Sequence, residues 1–302
     1  MKTIGFIGLG TMGLPMAKHL ISANYKLVVY NRTAEKGKVL EEKGATVVAS
    51  PQEVASQSEI VFTMLTADAA VEEVILGPNG VKEGAKPGLI VIDSSTISPN
   101  TSKKVASVLA KQGVEMLDAP VTGSEPQAIE GILTFMVGGK REVYEKCQDL
   151  FQIMGQQSFY MGEHGSGSYT KLANNTMGAI NLLSFSEAIT MATKAGIDPE
   201  LFVKVVSGGG ARSGMMDNKA PKVINRDFSP HFMIDLIHKD LGLATDVAKE
   251  LELPTPVLAL VKEIFQMARA KGLGKEDMSS VIKCYEEWAG IEVKKIFVKI
   301  DC

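Results

Sequence analysis

Four groups of residues in this chain have the types and spacing that do chemistry. The first is Gly8-Leu9-Gly10-Thr11-Met12-Gly13, a G-x-G-x-x-G run. Glycines at those positions let the backbone approach an anion, and a helix opening there, with Pro15 in its first turn, aims N–H groups and a positive dipole end at a pyrophosphate. The second group, Asn31-Arg32-Thr33, lies roughly 20 residues on, where NAD-selective units carry an acid for the ribose 2′-hydroxyl. No acid stands there. Arg32 and Thr33, with Lys36 one helical turn beyond, offer charge and hydrogen bonds to a 2′-phosphate, which favours NADP and leaves NAD possible. The third, Asp118-Ala119-Pro120-Val121-Thr122-Gly123-Ser124, ends in hydroxyls and N–H groups suited to a carboxylate, or equally to a plain turn. The fourth is Lys171 with Asn174 and Asn175, whose spacings of three and four place them on one helix face. A lysine there exchanges protons if burial lowers its pKa. Taken by itself, Lys171 reads more simply as a solvated helix lysine.

These groups need elements to hold them. Short runs rich in Val and Ile occur at Ile4–Ile7, Leu27–Tyr30, Ile60–Leu65, Leu89–Ile92, Val114–Leu117 and Leu133–Val137. Strands apolar on both faces belong in a buried parallel sheet, and Leu14–Ala23, Ala34–Lys43, Asn100–Gln112 and Arg141–Met154 are long enough for crossover helices. The first half therefore reads as a Rossmann-type, doubly wound α/β domain, with the glycine run after its first strand. Strand signals stop after Gly162. Ser168–Ala195 predicts one helix of about 28 residues, roughly 42 Å long, ended by Gly196-Ile197-Asp198-Pro199. Further helices are predicted at Glu200–Ser207, Met215–Ile224, Ile234–Glu250, Val257–Lys271 and Met278–Glu287. The expected organisation is a dinucleotide-binding domain over 1–163, an all-helical substrate and oligomerisation domain over 164–290, and a tail, 291–302, without an assigned role. A long helix joins the two domains.

Composition limits the alternatives. The chain has 302 residues, 45% hydrophobic and 22% charged, which provides enough apolar material for a core and makes no case for disorder. Its net charge of −3 gives no global argument for nucleic-acid or membrane binding. Three cysteines, Cys147, Cys284 and Cys302, are too few and too far apart for a disulfide framework, and His19, His164, His231 and His238 show no metal-ligand spacing. No metal is expected. No run approaches the roughly 18 apolar residues of a membrane span, and Met1-Lys2-Thr3 leads straight into a first strand, so a cytoplasmic setting is expected. Arg212, in a Gly-rich turn, reads either as a substrate ligand or as a surface arginine.

Together, Gly8–Gly13, the Asp118–Ser124 loop with Gly131-Ile132-Leu133-Thr134 after it, Gly165–Asn175 and Lys239-Asp240-Leu241 resemble the β-hydroxyacid dehydrogenase family. That family includes 3-hydroxyisobutyrate dehydrogenases and tartronate semialdehyde, glyoxylate and succinic semialdehyde reductases. The resemblance implies that the Gly8–Gly13 loop binds the pyrophosphate, Asn31, Arg32 and Thr33 the adenosine ribose, and Met64, Leu65 and Thr96 the rest of the dinucleotide. It implies that Thr122 and Gly123, with Ser124, anchor a substrate carboxylate, that Lys171 is the acid or base, that Asn174 and Asn175 orient the substrate, and that Lys239 closes on the cofactor. The implied reaction is NADP-dependent interconversion of a small aldehyde acid and its hydroxy acid, in a homodimer or homotetramer. The family loop commonly reads Ser-Gly-Gly where this chain has Thr122-Gly123-Ser124, which leaves the substrate open. An imine reductase of the same architecture and a non-catalytic dinucleotide-binding module are the alternatives; the presence of Lys171 speaks against the first, and Lys171 with the anion loop against the second.

Overall fold

The structure, a computed structural model, describes residues 2–295. Residues 296–302, which include Cys302 and most of the expected tail, lie outside the described residues. The chain divides into two compact units, Met1–Lys171 and Leu172–Cys302.

In the first unit β1 (Thr3–Ile7), β2 (Lys26–Tyr30), β3 (Thr46–Val47), β4 (Ile60–Thr63), β5 (Ile90–Asp93), β6 (Glu115–Asp118), β7 (Val121–Thr122), β8 (Leu133–Gly139) and β9 (Gly155–Gly162) form one sheet. Its order is β3-β2-β1-β4-β5-β6-β8-β7, with β9 also beside β8. The strands from β3 to β6 in that order are parallel. Helices α1 (Gly13–Ser22), α2 (Glu35–Glu41), α3 (Pro51–Ser56), α4 (Asp68–Leu76), α5 (Val81–Gly84), α6 (Pro99–Ala110), α7 (Glu125–Glu130), α8 (Arg141–Lys146) and α9 (Gln148–Met154) connect them. Alternate strand residues feed two cores: Ile4, Phe6, Val29, Phe62, Ile92 and Leu117 on one face, Ile7, Val28, Val61, Val91 and Met116 on the other. Burial on both faces is what the continuous Val/Ile runs announce. The strand order turns back between β1 and β4, so the loops at the C-terminal ends of these strands flank the switch point where open α/β sheets take ligands.

Three expectations change. The sheet is not wholly parallel: β8 runs antiparallel to β6 and β7, because only the short α7 separates β7 from β8, too little chain for a crossover. The helix expected over Arg141–Met154 is two, α8 and α9, broken at Cys147 without a glycine or proline to mark the break. The run Ile60–Leu65 leaves the sheet after Thr63, which puts Met64 and Leu65 in a loop.

Helix α10 (Ser166–Lys194) has 29 residues and begins in the first unit. It ends as the sequence predicts: Gly196 adopts φ +83, and the Ile197 N–H donates to Ala192 O at 3.0 Å. Asp198 then caps the next helix by accepting the Leu201 N–H at 2.9 Å. The second unit continues with α11 (Pro199–Ser207), α12 (Gly214–Ile224), α13 (Ile234–Glu250), α14 (Pro256–Ala270) and α15 (Ile282–Ala289), with 3₁₀ turns at Leu273–Lys275 and Met278–Val281. The helix expected from Met278 thus starts as a tight 3₁₀ turn, capped by Asp277 accepting the Ser279 N–H at 3.0 Å. Leu182, Phe185, Ile189, Val223, Ile237, Leu241 and Phe265 make its core. Cys147 is buried in the first unit's core and Cys284 in the second's. Burial pushes the Cys147 thiol up to about 12 and raises that of Cys284. No helix among the described residues is long and apolar enough to cross a membrane.

Candidate active site

The glycine run leaves β1 and turns into α1. Gly8 has φ +97, and a Cβ on it would lie 2.3 Å from Met64 O; one on Gly13 would lie 2.0 Å from Gly8 O. Neither position admits a side chain. A Cβ on Gly10 would meet nothing within 4 Å, so the middle glycine faces open space. Met12, at the helix N-cap, makes no side-chain capping bond. A tight turn with one open face and an uncapped helix start fits a pyrophosphate.

Asn31 makes two bonds within the chain. Its Oδ1 accepts the Leu9 N–H at 2.9 Å, and its Nδ2 donates to Thr33 O at 2.9 Å. The amide thereby braces the glycine loop against the chain after β2. Arg32, Thr33 and Lys36 are exposed beside it.

The ends of β4, β5 and β6 carry a buried polar network that sequence reading missed. Asp93 Oδ1 accepts from Thr63 Oγ1 at 2.7 Å, Ser95 Oγ at 2.6 Å and the Ser95 N–H at 3.2 Å. Ser95 Oγ in turn accepts the Leu65 N–H at 2.8 Å. Thr96 follows directly, half-buried. Burial pushes the Asp93 carboxyl up to about 6, against the pull of those hydrogen bonds. Next to it in register is Asp118, also raised by burial, which accepts the N–H groups of Gly165 at 2.8 Å and Ser168 at 2.9 Å. Asp118 therefore ties the start of α10 to the sheet. The signal was available: an acid, Asp93 or Asp118, ends each of two neighbouring strands.

Thr122 closes β7, and Gly123, exposed, adopts φ +122. Ser124 is the N-cap of α7 in a capping box, its N–H and hydroxyl both donating to Gln127 Oε1, at 2.9 and 2.8 Å. Its N–H and hydroxyl are thus both engaged within the helix start. His19 Nε2, on α1, donates to Ala128 O at 3.0 Å and so steadies α7.

Lys171 is on the first two turns of α10 and only 8% exposed, so the solvated-lysine reading does not describe it. Just before it, a Cβ on Gly167 would lie 2.3 Å from Met136 O, so the helix start packs closely on the strands. In the second unit Asn175 Nδ2 donates to Asp240 Oδ2 at 2.7 Å, and Lys239 Nζ pairs with Asp240 Oδ1 at 3.1 Å. Asn174 Nδ2 donates to Asn175 Oδ1 at 3.2 Å. Asn175 and Lys239 thus share one buried carboxylate, Asp240, and Asn174 joins them through Asn175; the sequence reading quoted Asp240 in a motif but gave it no role. Arg212 is exposed and paired with Asp217 at 2.9 Å.

Comparison with known proteins agrees with this arrangement along the chain. Residues 3–162 match the NAD-binding domain of 6-phosphogluconate dehydrogenase, and residues 165–285 the NAD-binding region of NADP-dependent 3-hydroxyisobutyrate dehydrogenase. The 2-(hydroxymethyl)glutarate dehydrogenase of Eubacterium barkeri is 38% identical over 96% of this chain and 97% of its own. The 3-sulfolactaldehyde reductase of Escherichia coli is 39% identical over 97% of this chain and 99% of its own. A 3-hydroxyisobutyrate dehydrogenase from Mycobacterium tuberculosis, solved with L-serine, superposes with a TM-score of 0.87 at 28% identity, covering 94% of this chain and 99% of that one. A dinucleotide-binding sheet, a following helical unit and matches along nearly the whole chain have one reading: the chain belongs to the β-hydroxyacid dehydrogenase family of nicotinamide-dependent oxidoreductases.

Proposed function

We propose that this chain is an NADP-preferring enzyme that interconverts a small anionic aldehyde and its primary alcohol. The observation that carries the proposal is the glycine loop: two glycines that no other residue can replace and a third facing open space, at the switch point of the sheet. A bound nicotinamide supplies a hydride to the carbonyl carbon, or takes one from the alcohol carbon. The chain's own residues do the rest. The Gly8–Gly13 loop and the α1 N-terminus bind the pyrophosphate, Met64, Leu65 and Thr96 the neighbouring parts of the dinucleotide. Exposed Arg32, Thr33 and Lys36 receive the 2′-phosphate, while Asn31 supports the loop from behind. Thr122 and Gly123 hold the substrate's anionic group. Lys171, as ammonium, gives a proton to the oxygen that becomes the hydroxyl; as the neutral amine it takes that proton back in oxidation. In the second unit Asn175, held by Asp240, is assigned to the substrate and Lys239 to the cofactor.

The relatives' names support the substrate class. 2-(Hydroxymethyl)glutarate, 3-sulfolactaldehyde and 3-hydroxyisobutyrate are small anions bearing a primary alcohol or an aldehyde. The test is a panel of these compounds with glyoxylate, succinic semialdehyde and tartronate semialdehyde, beside butanal as the uncharged control, each with NADPH and NADH. The expected outcome is turnover of an anionic member with NADPH and little with butanal, since donors positioned for an anion gain nothing from an uncharged chain end. Equal kcat/KM for an acid and its uncharged isostere would remove the anion anchor, and no turnover of any member would remove the substrate class.

A further inference from the structure

Asp93 sits beneath three of the loops assigned above to the dinucleotide. Its Oδ1 holds the Ser95 hydroxyl, which holds the Leu65 N–H; Met64 O, one residue before, is the atom against which Gly8 closes. The same oxygen takes the Thr63 hydroxyl and the Ser95 N–H. Asp93 Oδ2 is buried and has no hydrogen-bond partner. The asymmetry has a chemical meaning. Three donors converge on one oxygen, which must stay bare, so a proton taken up by this carboxyl goes to Oδ2. Bonds to an ionised acceptor are roughly twice as strong as bonds to a neutral one, and they strengthen the next bond along the chain.

From this geometry we infer that Asp93 is a positioning residue for the dinucleotide-binding loops, and that its negative charge, beyond its shape, sets cofactor affinity. The inference rests on the dinucleotide reading of those loops. Ionised Asp93 tightens the Leu65–Ser95–Asp93 chain and fixes the β4–α4 and β5–α6 turns against the glycine loop. Protonated Asp93 leaves the same contacts weaker, so affinity falls as the solution is acidified.

The surroundings place this switch near neutrality. Burial pushes the carboxyl up to about 6, and Asp118 across the sheet adds to the rise. From β4 the Thr63 hydroxyl faces Asp93. Asp118 is held by the Gly165 and Ser168 N–H groups with His164 beyond it. Asp68, on α4, is engaged with the Ser98 N–H, and on α6 Lys104 pairs with Glu72 while Lys103 lies over the Tyr169 ring. The sign for folding is opposite to that for binding. A carboxyl raised from 3.8 to about 6 contributes stability that is present below pH 3.8 and lost as the pH rises through about 6. The fold therefore carries ionised Asp93 at a cost to stability, while binding gains from it.

The experiment is a titration of NADPH and of NADH, followed by nicotinamide fluorescence from about pH 5 to pH 8, on the wild type, Asp93→Asn and Ser95→Ala. The Kd of Asp93→Asn relative to wild type is expected to be about tenfold at pH 8 and to approach one near pH 5, where the wild type is itself protonated. Taking the ratio at each pH cancels the cofactor's own 2′-phosphate, which titrates near 6, and NADH lacks that group. Ser95→Ala keeps the carboxyl but removes the hydroxyl that links it to Leu65, so its loss is expected to be at least as large at pH 8 and to shrink, without vanishing, toward pH 5. If Asp93→Asn does not fold, Ser95→Ala decides. A ratio near one throughout, or one that is constant with pH, overturns the inference. A wild type that binds neither cofactor at any pH overturns the dinucleotide reading, and this inference with it.

Discussion

Lys171 is buried early in α10, just after a helix start that Asp118 fixes to the sheet. Replacing it with Ala is expected to lower kcat by at least about 100-fold, the usual contribution of general acid–base catalysis, with NADPH affinity preserved. Lys171→Arg is expected to rescue poorly, because a guanidinium keeps the charge but does not release its proton. A folded Lys171→Ala protein with near-normal kcat would exclude the assignment. At Arg32 the expected effect falls on cofactor choice. Arg32→Asp sets a negative charge where the 2′-phosphate is proposed to lie, so kcat/KM with NADPH should fall and the preference should move toward NADH. An unchanged preference would leave Arg32 a surface residue. At this scale the sequence revealed residue types and hid partners. Asn31 stands where a ribose ligand is expected, and its amide also meets Leu9 and Thr33, 22 and 2 residues away. Ser124 was chosen for its donors, and Gln127 three residues on takes both. Asp93 went unnoticed and Asp240 was given no role, because their importance lies in what folds against them.

Among the elements, the 3₁₀ turn at Met278–Val281 is held by an ion pair that the core of the helical unit encloses. Lys219 Nζ lies 2.9 Å from both oxygens of Asp277, with 8% and 0% of the two side chains exposed. Asp277 also accepts N–H groups from His231, Phe232 and Ser279, which fastens α12, the loop before α13 and the turn to one carboxylate. Burial raises its pKa, but Lys219 and these hydrogen bonds outweigh it, so the net shift is downward. The stability tied to Asp277 is therefore present above the ordinary carboxylate range and lost as the pH falls through its lowered pKa. Lys219→Ala leaves a buried carboxylate without its cation and is expected to cost about 3–5 kcal/mol in urea unfolding. A loss below about 1 kcal/mol, the value of an exposed pair, would mean that water replaces the lysine. Elements with local start and stop signals were legible: Gly196, Asp198 and Pro199 mark the end of α10 and the start of α11. Strand β9 was not, since after Gly155 its residues are exposed or only partly buried and form no apolar run. The antiparallel turn of β8 is a property of connection length, which composition does not show.

For the whole molecule, the shift from alternating strand and helix signals to helix signals alone was legible because each unit buries its own apolar set, with different periodicities. Each of those cores also encloses one thiol, Cys147 in the first unit and Cys284 in the second, both held in the unreactive protonated form by burial. The molecule thus contains two internal clocks. A thiol reagent added at neutral pH to a Cys302→Ser variant finds neither sulfur until the surrounding core opens, because the thiolate is the nucleophile. Mass spectrometry of the labelled peptides would then time the opening of each unit separately. One shared rate for Cys147 and Cys284 is expected if the units unfold as one cooperative body, and two rates if each opens alone. Adding NADPH should slow the Cys147 clock, since a ligand stabilises the state that binds it, and the extent to which Cys284 slows with it would measure how far the energy of cofactor binding travels along the chain.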